Sequence, residues 1–228
     1  MKLAQEQLDF ISSYLCKKEL VQIDIKMEIL DHMANSIEKR IETYGDTFSD
    51  AFNAEALIWE RELSNSTNPI IGFLYSGPKM LIDKCARKLK FFYLYTSVVA
   101  LFFTIFFGFI LKDLNSNIVF EFLRYLYGCV FTITLSVIVI IHFAIKKTQI
   151  KSSFSFLYKT QAVGFAFFYL IYNPLFLDIL GLFKNGNFTY ISFLIYNAML
   201  FFSPIYFFIY KEHLRVLEKF SHLKIADL

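Results

Sequence analysis

The apolar positions of this chain change rhythm near residue 65. Before that point they recur every three or four residues, faced by charge; beyond it they fuse into long uncharged runs. In the first region Leu8, Ile11 and Leu15 share one helical face, with Gln5, Glu6, Asp9 and Ser12 opposite. A break at Lys17, Lys18 and Glu19 precedes a second periodic run, Ile23, Met27, Leu30, Ala34, Ile37 and Ile41. Its polar face carries Asp24, Glu28, Asp31, Lys39, Arg40 and Glu42. Gly45 is placed to stop this helix, and Thr47 to cap the next, with Asp50 three residues on as a short-armed capping box. The third helix sets Phe52, Ala56, Trp59 and Leu63 on one stripe. Short helices with one apolar face each bury those faces against one another or against a partner. Residues 1–65 are therefore expected to form a small three-helix domain.

Residues 66–90 read as a linker followed by a basic juxtamembrane segment. Asn68, Pro69, Gly72, Gly77 and Pro78 supply turn chemistry. Ile70, Ile71, Phe73, Leu74 and Tyr75 are apolar enough to rest at a membrane interface. Lys79, Lys84, Arg87, Lys88 and Lys90 then stand directly before the first uncharged run, where attraction to anionic lipid headgroups is worth roughly 1 kcal/mol per cation.

Four runs beyond residue 90 approach the roughly 20 apolar residues that a helix needs to cross hydrocarbon. They are expected at about 91–111, 125–145, 160–180 and 188–210, leaving 211–228 as a tail. The third is interrupted by Asn173, Pro174 and Asp178, and Pro204 is expected to kink the fourth. The predicted fold is all-α, a small N-terminal cytoplasmic helical domain followed by a four-helix transmembrane bundle. Lys and Arg residues alternate between connections. They are many before the first span, few after it, many at Lys146, Lys147, Lys151 and Lys159, a single Lys184, and many again in the tail. By the positive-inside rule both termini face the cytoplasm. The opening residues hold no apolar signal-peptide core, which also leaves the head in the cytoplasm.

Composition supports the division. The formal charge of +3 hides a net −6 over residues 1–65, from seven Lys and Arg against thirteen Asp and Glu. That balance is the opposite of a nucleic-acid-binding domain. Phe alone supplies 29 of 228 residues, more rings than a small soluble core can hide. The three cysteines, Cys16, Cys85 and Cys129, match neither a disulfide framework nor a zinc motif.

Candidate chemistry is sparse. Glu28, Asp31 and His32 share one side of the second helix and are of metal-binding or proton-transfer type. With one His and no second ligand cluster, the plainer reading is local hydrogen bonding that keeps the helices in register. Trp59 joins them as a candidate interaction residue. Among the spans, His142, Asp178 and Asn197 are the polar candidates, since ionisable groups in lipid are costly. His142 also lies within reach of headgroups, and Asp178 falls at the outer interface if the third span ends near Pro174. Thr132, Thr134 and Ser136 are candidates for interhelical hydrogen bonds, and Gly108, Gly128 and Gly164 for close approach. No catalytic, cofactor-binding or metal motif is present, so the chain reads as non-enzymatic, without cofactor.

The runs QLDFISSYL, IKMEILDHMANSIEKRIE and GDTFSDAF resemble the HAAS-like helical domain of bacterial membrane proteins, often encoded beside PadR-type transcriptional regulators. The matching positions are Phe10, Ile11, Tyr14 and Leu15, then Glu28, Leu30, Asp31, His32, Ile37 and Glu38, then Phe48, Ala51 and Phe52. The resemblance covers about the first 55 residues; Trp59 and the SNSTNP segment depart from it. It implies a cytoplasmic interaction module with no catalytic residues to carry over. The expectation is then a multi-pass protein of the bacterial inner membrane in a signalling or regulatory role. Its partners are the lipid bilayer and a protein, or a second copy, bound through residues 1–65, with no nucleic acid. The alternative is a small transporter or channel subunit with a polar path through the bundle.

Overall fold

The computed structural model describes residues 2–114, 117–177, 179–180 and 189–221. Three helices open the chain: α1 (Gln5–Lys17), α2 (Ile23–Tyr44) and α3 (Phe48–Leu63). Strands β1 (Asn65–Thr67) and β2 (Ser76–Pro78) follow. The long helices are α4 (Lys79–Leu114), α5 (Asn117–Thr148), α6 (Ser153–Ile171), α7 (Tyr190–Phe202) and α8 (Pro204–Phe220). They fall into two compact units. The first holds the residues up to Lys88, Ile150–Leu157 and the chain from Glu212 onward; the second holds Leu89–Gln149 and Tyr158–Lys211.

In the first unit α2 contributes the main buried line. Ile25, Ile29, Met33 and Ile37, each four residues from the last, are almost fully enclosed. Leu30 and Ala34 are buried beside them, whereas Ile23, Met27 and Ile41 of the expected stripe are only half-buried. The stripe read from sequence was shifted because a helix that contacts both α1 and α3 needs an apolar arc wider than one line. Ile11 and Leu15 of α1 and Ala51, Phe52 and Leu63 of α3 complete the core. At one edge Phe10 and Tyr14 meet the Phe52 ring edge-on, with centroids 5.0 and 5.3 Å away.

The breaks between these helices have local causes. After α1, Glu19 adopts a left-handed φ of 63° and the Leu20 N–H returns to the Leu15 carbonyl at 3.0 Å, which leaves Leu20 fully buried. Gly45 ends α2 at φ 71°, and Thr47 caps α3 by accepting the Asp50 N–H at 3.3 Å. The expected linker is more ordered than its composition implies. β1 and β2 form an antiparallel ladder pairing Asn65 with Pro78, Ser66 with Gly77 and Thr67 with Ser76. The Asn68 side chain opens the turn by accepting the Ile70 N–H at 2.9 Å, and Gly72 closes it at φ 111°.

The second unit carries the long apolar helices. Four segments are long and apolar enough to cross a membrane: Lys79–Leu111, Ile118–Thr148, Ser153–Ile171 and Tyr190–Phe220. The third differs from the expected 160–180, since α6 starts at Ser153 and stops at Ile171. Pro174 explains the stop, because its ring disfavours helical backbone at Asn173. Asn173 turns instead, its Oδ1 accepting the Leu175 N–H at 3.1 Å while its Nδ2 donates to Thr132 Oγ1 at 3.0 Å. The Arg124 Nε donates to the Pro174 carbonyl at 3.1 Å.

Pro204 interrupts the fourth segment without ending it. Lacking an N–H, it cannot bond the Leu200 carbonyl. Ser203 substitutes, donating its hydroxyl at 2.7 Å and its N–H at 3.3 Å to that oxygen. Elsewhere several polar groups of the bundle are bonded internally, although the buried Tyr206 hydroxyl finds no hydrogen-bond partner among the described residues. Tyr127 donates to Asn197 Oδ1, and Asn197 Nδ2 donates to Thr104 Oγ1 at 3.0 Å, so α4, α5 and α7 share one buried network. Tyr169 donates to the Met199 carbonyl at 2.7 Å and Tyr93 to Gln161 Oε1 at 2.5 Å. Thr134 and Ser136 return to carbonyls of their own helix, at 2.8 and 3.0 Å.

Of the glycines read as close-approach candidates, Gly128 is one. A Cβ there would lie 2.2 Å from Leu175 Cγ, whereas one at Gly164 would meet nothing within 4 Å. Gly128→Ala is expected to destabilise the bundle by about 1–3 kcal/mol, the usual cost of overpacking, and Gly164→Ala to leave it unchanged. Thermal unfolding of the two variants in one detergent checks the contrast.

Candidate functional site

The first unit draws three distant segments around one carboxylate. Asp24 stands at the second position of α2, where the helix dipole already favours negative charge. Its Oδ1 accepts the Ser153 N–H at 2.8 Å and its Oδ2 the Ser153 hydroxyl at 2.5 Å. Ser153 is the first residue of α6, so Asp24 serves two helix starts at once. The contact is reciprocal, for the first N–H of α2, on Ile23, donates to the Lys151 carbonyl at 2.9 Å.

Ser152 caps α6. Its Oγ accepts the Ser155 N–H at 3.0 Å, and Ser155 Oγ in turn accepts the Ser152 N–H at 2.9 Å. The same Ser152 oxygen lies 2.8 Å from His213 Nδ1 on α8. From α4, Cys85 Sγ donates to the Ser153 carbonyl at 3.8 Å, and the Lys88 ammonium stands 3.8 Å from the centre of the Phe154 ring. Two ion pairs secure α4 at the rim, Lys84 with Glu28 at 2.5 Å and Lys79 with Glu62 at 2.8 Å. Both pairs are partly exposed and worth about 0–1 kcal/mol each, so the buried and part-buried hydrogen bonds matter more.

A serine, a histidine and an aspartate thus converge without forming a hydrolytic triad. The carboxylate is spent on Ser153, the Ser152 oxygen is a helix cap, and both Ser152 and His213 are 0% exposed. The arrangement joins segments.

The residues singled out from sequence scatter around this junction. Glu28 belongs to its rim through Lys84, while Asp31 and His32 are exposed on the outer face of α2. Trp59 is half-buried and donates to Glu55 Oε1 at 2.8 Å. Of the five cations expected at headgroups, Lys79, Lys84 and Lys88 have partners within the unit, and Arg87 and Lys90 are exposed. In the second unit Asn197 is buried in its network and His142 is exposed beside Phe143 and Tyr158. Asp178 lies outside the described residues. Among the described residues no group of three or more His, Cys, Asp or Glu is placed to hold a metal ion. Sequence reading missed Asp24, Ser152, Ser153 and His213 as a set. The run Ser152-Ser153-Phe154-Ser155 before an apolar stretch was the one available signal, a capping pattern with Ser in place of the longer acid.

The fold defines a polytopic helical membrane protein with four candidate spans. No protein-family model matches the chain, and no curated protein and no solved structure matches it either.

Removing the central carboxylate by Asp24→Ala is expected to cost about 1.5–3 kcal/mol, the range for hydrogen bonds to a charged group. Ser152→Ala should cost about 0.5–2 kcal/mol as a lost helix cap. Asp31→Ala, on the exposed face, should stay within about 0.5 kcal/mol of the parent. Chemical unfolding of the three detergent-solubilised variants checks the order.

Proposed function

We propose that this chain is a non-enzymatic, four-span protein of the bacterial inner membrane, with both termini in the cytoplasm and a head that binds a protein partner or a second copy of itself. The observation that carries the sidedness is the make-up of the first unit. The N-terminal helices, the connection at Ile150–Leu157 and the chain from Glu212 belong to one compact body. Segments sharing a body share one side of a membrane. The even number of candidate spans between them fits this, and the Lys and Arg alternation supports the cytoplasm as that side.

The binding role is supported by the head's surface. Leu57 and Ile58 on α3 are 71% and 67% exposed, and the head around them is strongly acidic. Adjacent exposed aliphatics on a rigid helix are an unfilled contact surface. The resemblance of residues 1–55 to HAAS-like domains supports an interaction module in a regulatory setting. The transport alternative draws less support. Of its three candidates, His142, Asp178 and Asn197, the last is fully buried and bonded to Tyr127 and Thr104.

Two measurements test this. In a Cys129→Ser background, a membrane-impermeant maleimide should label the exposed Cys16 in inverted membrane vesicles and not in intact cells; labelling of intact cells contradicts the sidedness. The double substitution Leu57→Asp with Ile58→Asp should abolish co-purification of the head's partner from native membranes while leaving the protein folded. A partner retained at full yield contradicts the assigned surface.

A further inference from the structure

The last turns of α5 set an imidazole and an ammonium beside a surface made for acyl chains. Val139, Ile140 and Phe143 are exposed there, within a candidate span. His142 is exposed among them, and the buried Tyr158 ring of α6 walls it on one side at a centroid distance of 6.4 Å. Lys146 is exposed one turn further on, on the same face of α5, since residues four apart are neighbours on a helix. We propose that His142 and Lys146 form a headgroup site for one anionic phospholipid. Lys146 holds the phosphodiester, and His142 donates to an ester oxygen beneath it.

Charge and depth select this occupant. From residue 122 to residue 177 the chain holds five Lys and Arg and no Asp or Glu. The acid of α5 itself, Glu121, is paired with Arg124 and stands about 30 Å along the helix from His142. Among the described residues no carboxylate pairs with Lys146, so its counter-charge comes from outside the chain. Basic groups at the ends of spans meet that need with anionic headgroups.

The imidazole narrows the choice further. Four residues of helix rise about 6 Å, which sets His142 below Lys146, where a phospholipid changes from phosphate to glycerol ester. An imidazole carries an N–H in either protonation state, so it is a donor at that level. The acyl chains then lie along Val139 and Phe143, which a soluble phosphate has no apolar part to cover. Lys147 lies about 100° round the helix from Lys146 and takes no part in this two-point contact. The inference rests on α5 crossing a membrane and is independent of what the head binds.

The test titrates the delipidated full-length protein, in a neutral detergent, with phosphatidylglycerol or phosphatidylcholine and counts bound lipid by native mass spectrometry. The parent should bind its first phosphatidylglycerol about fivefold more tightly than phosphatidylcholine, the equivalent of the roughly 1 kcal/mol that one cation is worth near headgroups. Lys146→Gln and His142→Phe should each remove most of that preference. His142→Gln, which keeps an N–H donor, should retain it, and so should Lys147→Gln, which removes equal charge from another face. Excess inorganic phosphate should leave the lipid bound. Equal affinity of the parent for the two lipids overturns the proposal. So does a loss in Lys147→Gln as large as that in Lys146→Gln, which means general surface charge, or a loss in His142→Gln as large as that in His142→Phe. Displacement by inorganic phosphate overturns it as well, since the site then takes a free anion.

Discussion

One carboxylate in the first turn of α2 is bonded to the first residue of α6, 129 residues away, and the organisation of the first unit depends on it. A helix start exposes N–H groups that need acceptors, and a start enclosed by protein cannot use water. Asp24 supplies the acceptor for α6 while contributing to the dipole of α2, and the Lys151 carbonyl returns the service to Ile23. Because the partners are backbone groups as well as side chains, the match fixes register. A one-residue slip of either helix would leave a partly buried charge facing no donor, which is costlier than losing an exposed ion pair.

This changes how the first unit is understood. Residues 1–65 form helices with a common core, yet the compact body also takes in the start of α4, the Ile150–Leu157 connection and the end of α8. The junction is built from polar contacts with buried apolar support from Leu81, Ile82 and Cys85. A domain this small has a marginal core on its own, and the added segments enlarge it.

Much of the fold was legible in sequence because its determinants are local. Gly45 and Thr47 mark the α2–α3 turn by their own conformational preferences, and uncharged length marks the long helices. The third long helix was overextended because an apolar count ignores what Pro174 does to Asn173. The ladder of β1 and β2 was missed because its pairing depends on the turn that Asn68 and Gly72 form, and its strands carry no alternating pattern. The junction was the least legible part. Asp24 reads as an ordinary first-turn acid and His213 as one polar residue among many in a charged tail. Only a contact spanning most of the chain reveals that they belong together.

The central claim is that Asp24 and the start of α6 stabilise one another directly. A double-mutant cycle on Asp24→Ala and Ser153→Ala, by chemical unfolding of the full-length protein in one detergent, measures that mutual term. The account predicts coupling of about 1–2 kcal/mol, in the range of residues sharing a hydrogen-bond network. Additive effects, with coupling below about 0.3 kcal/mol, would contradict it.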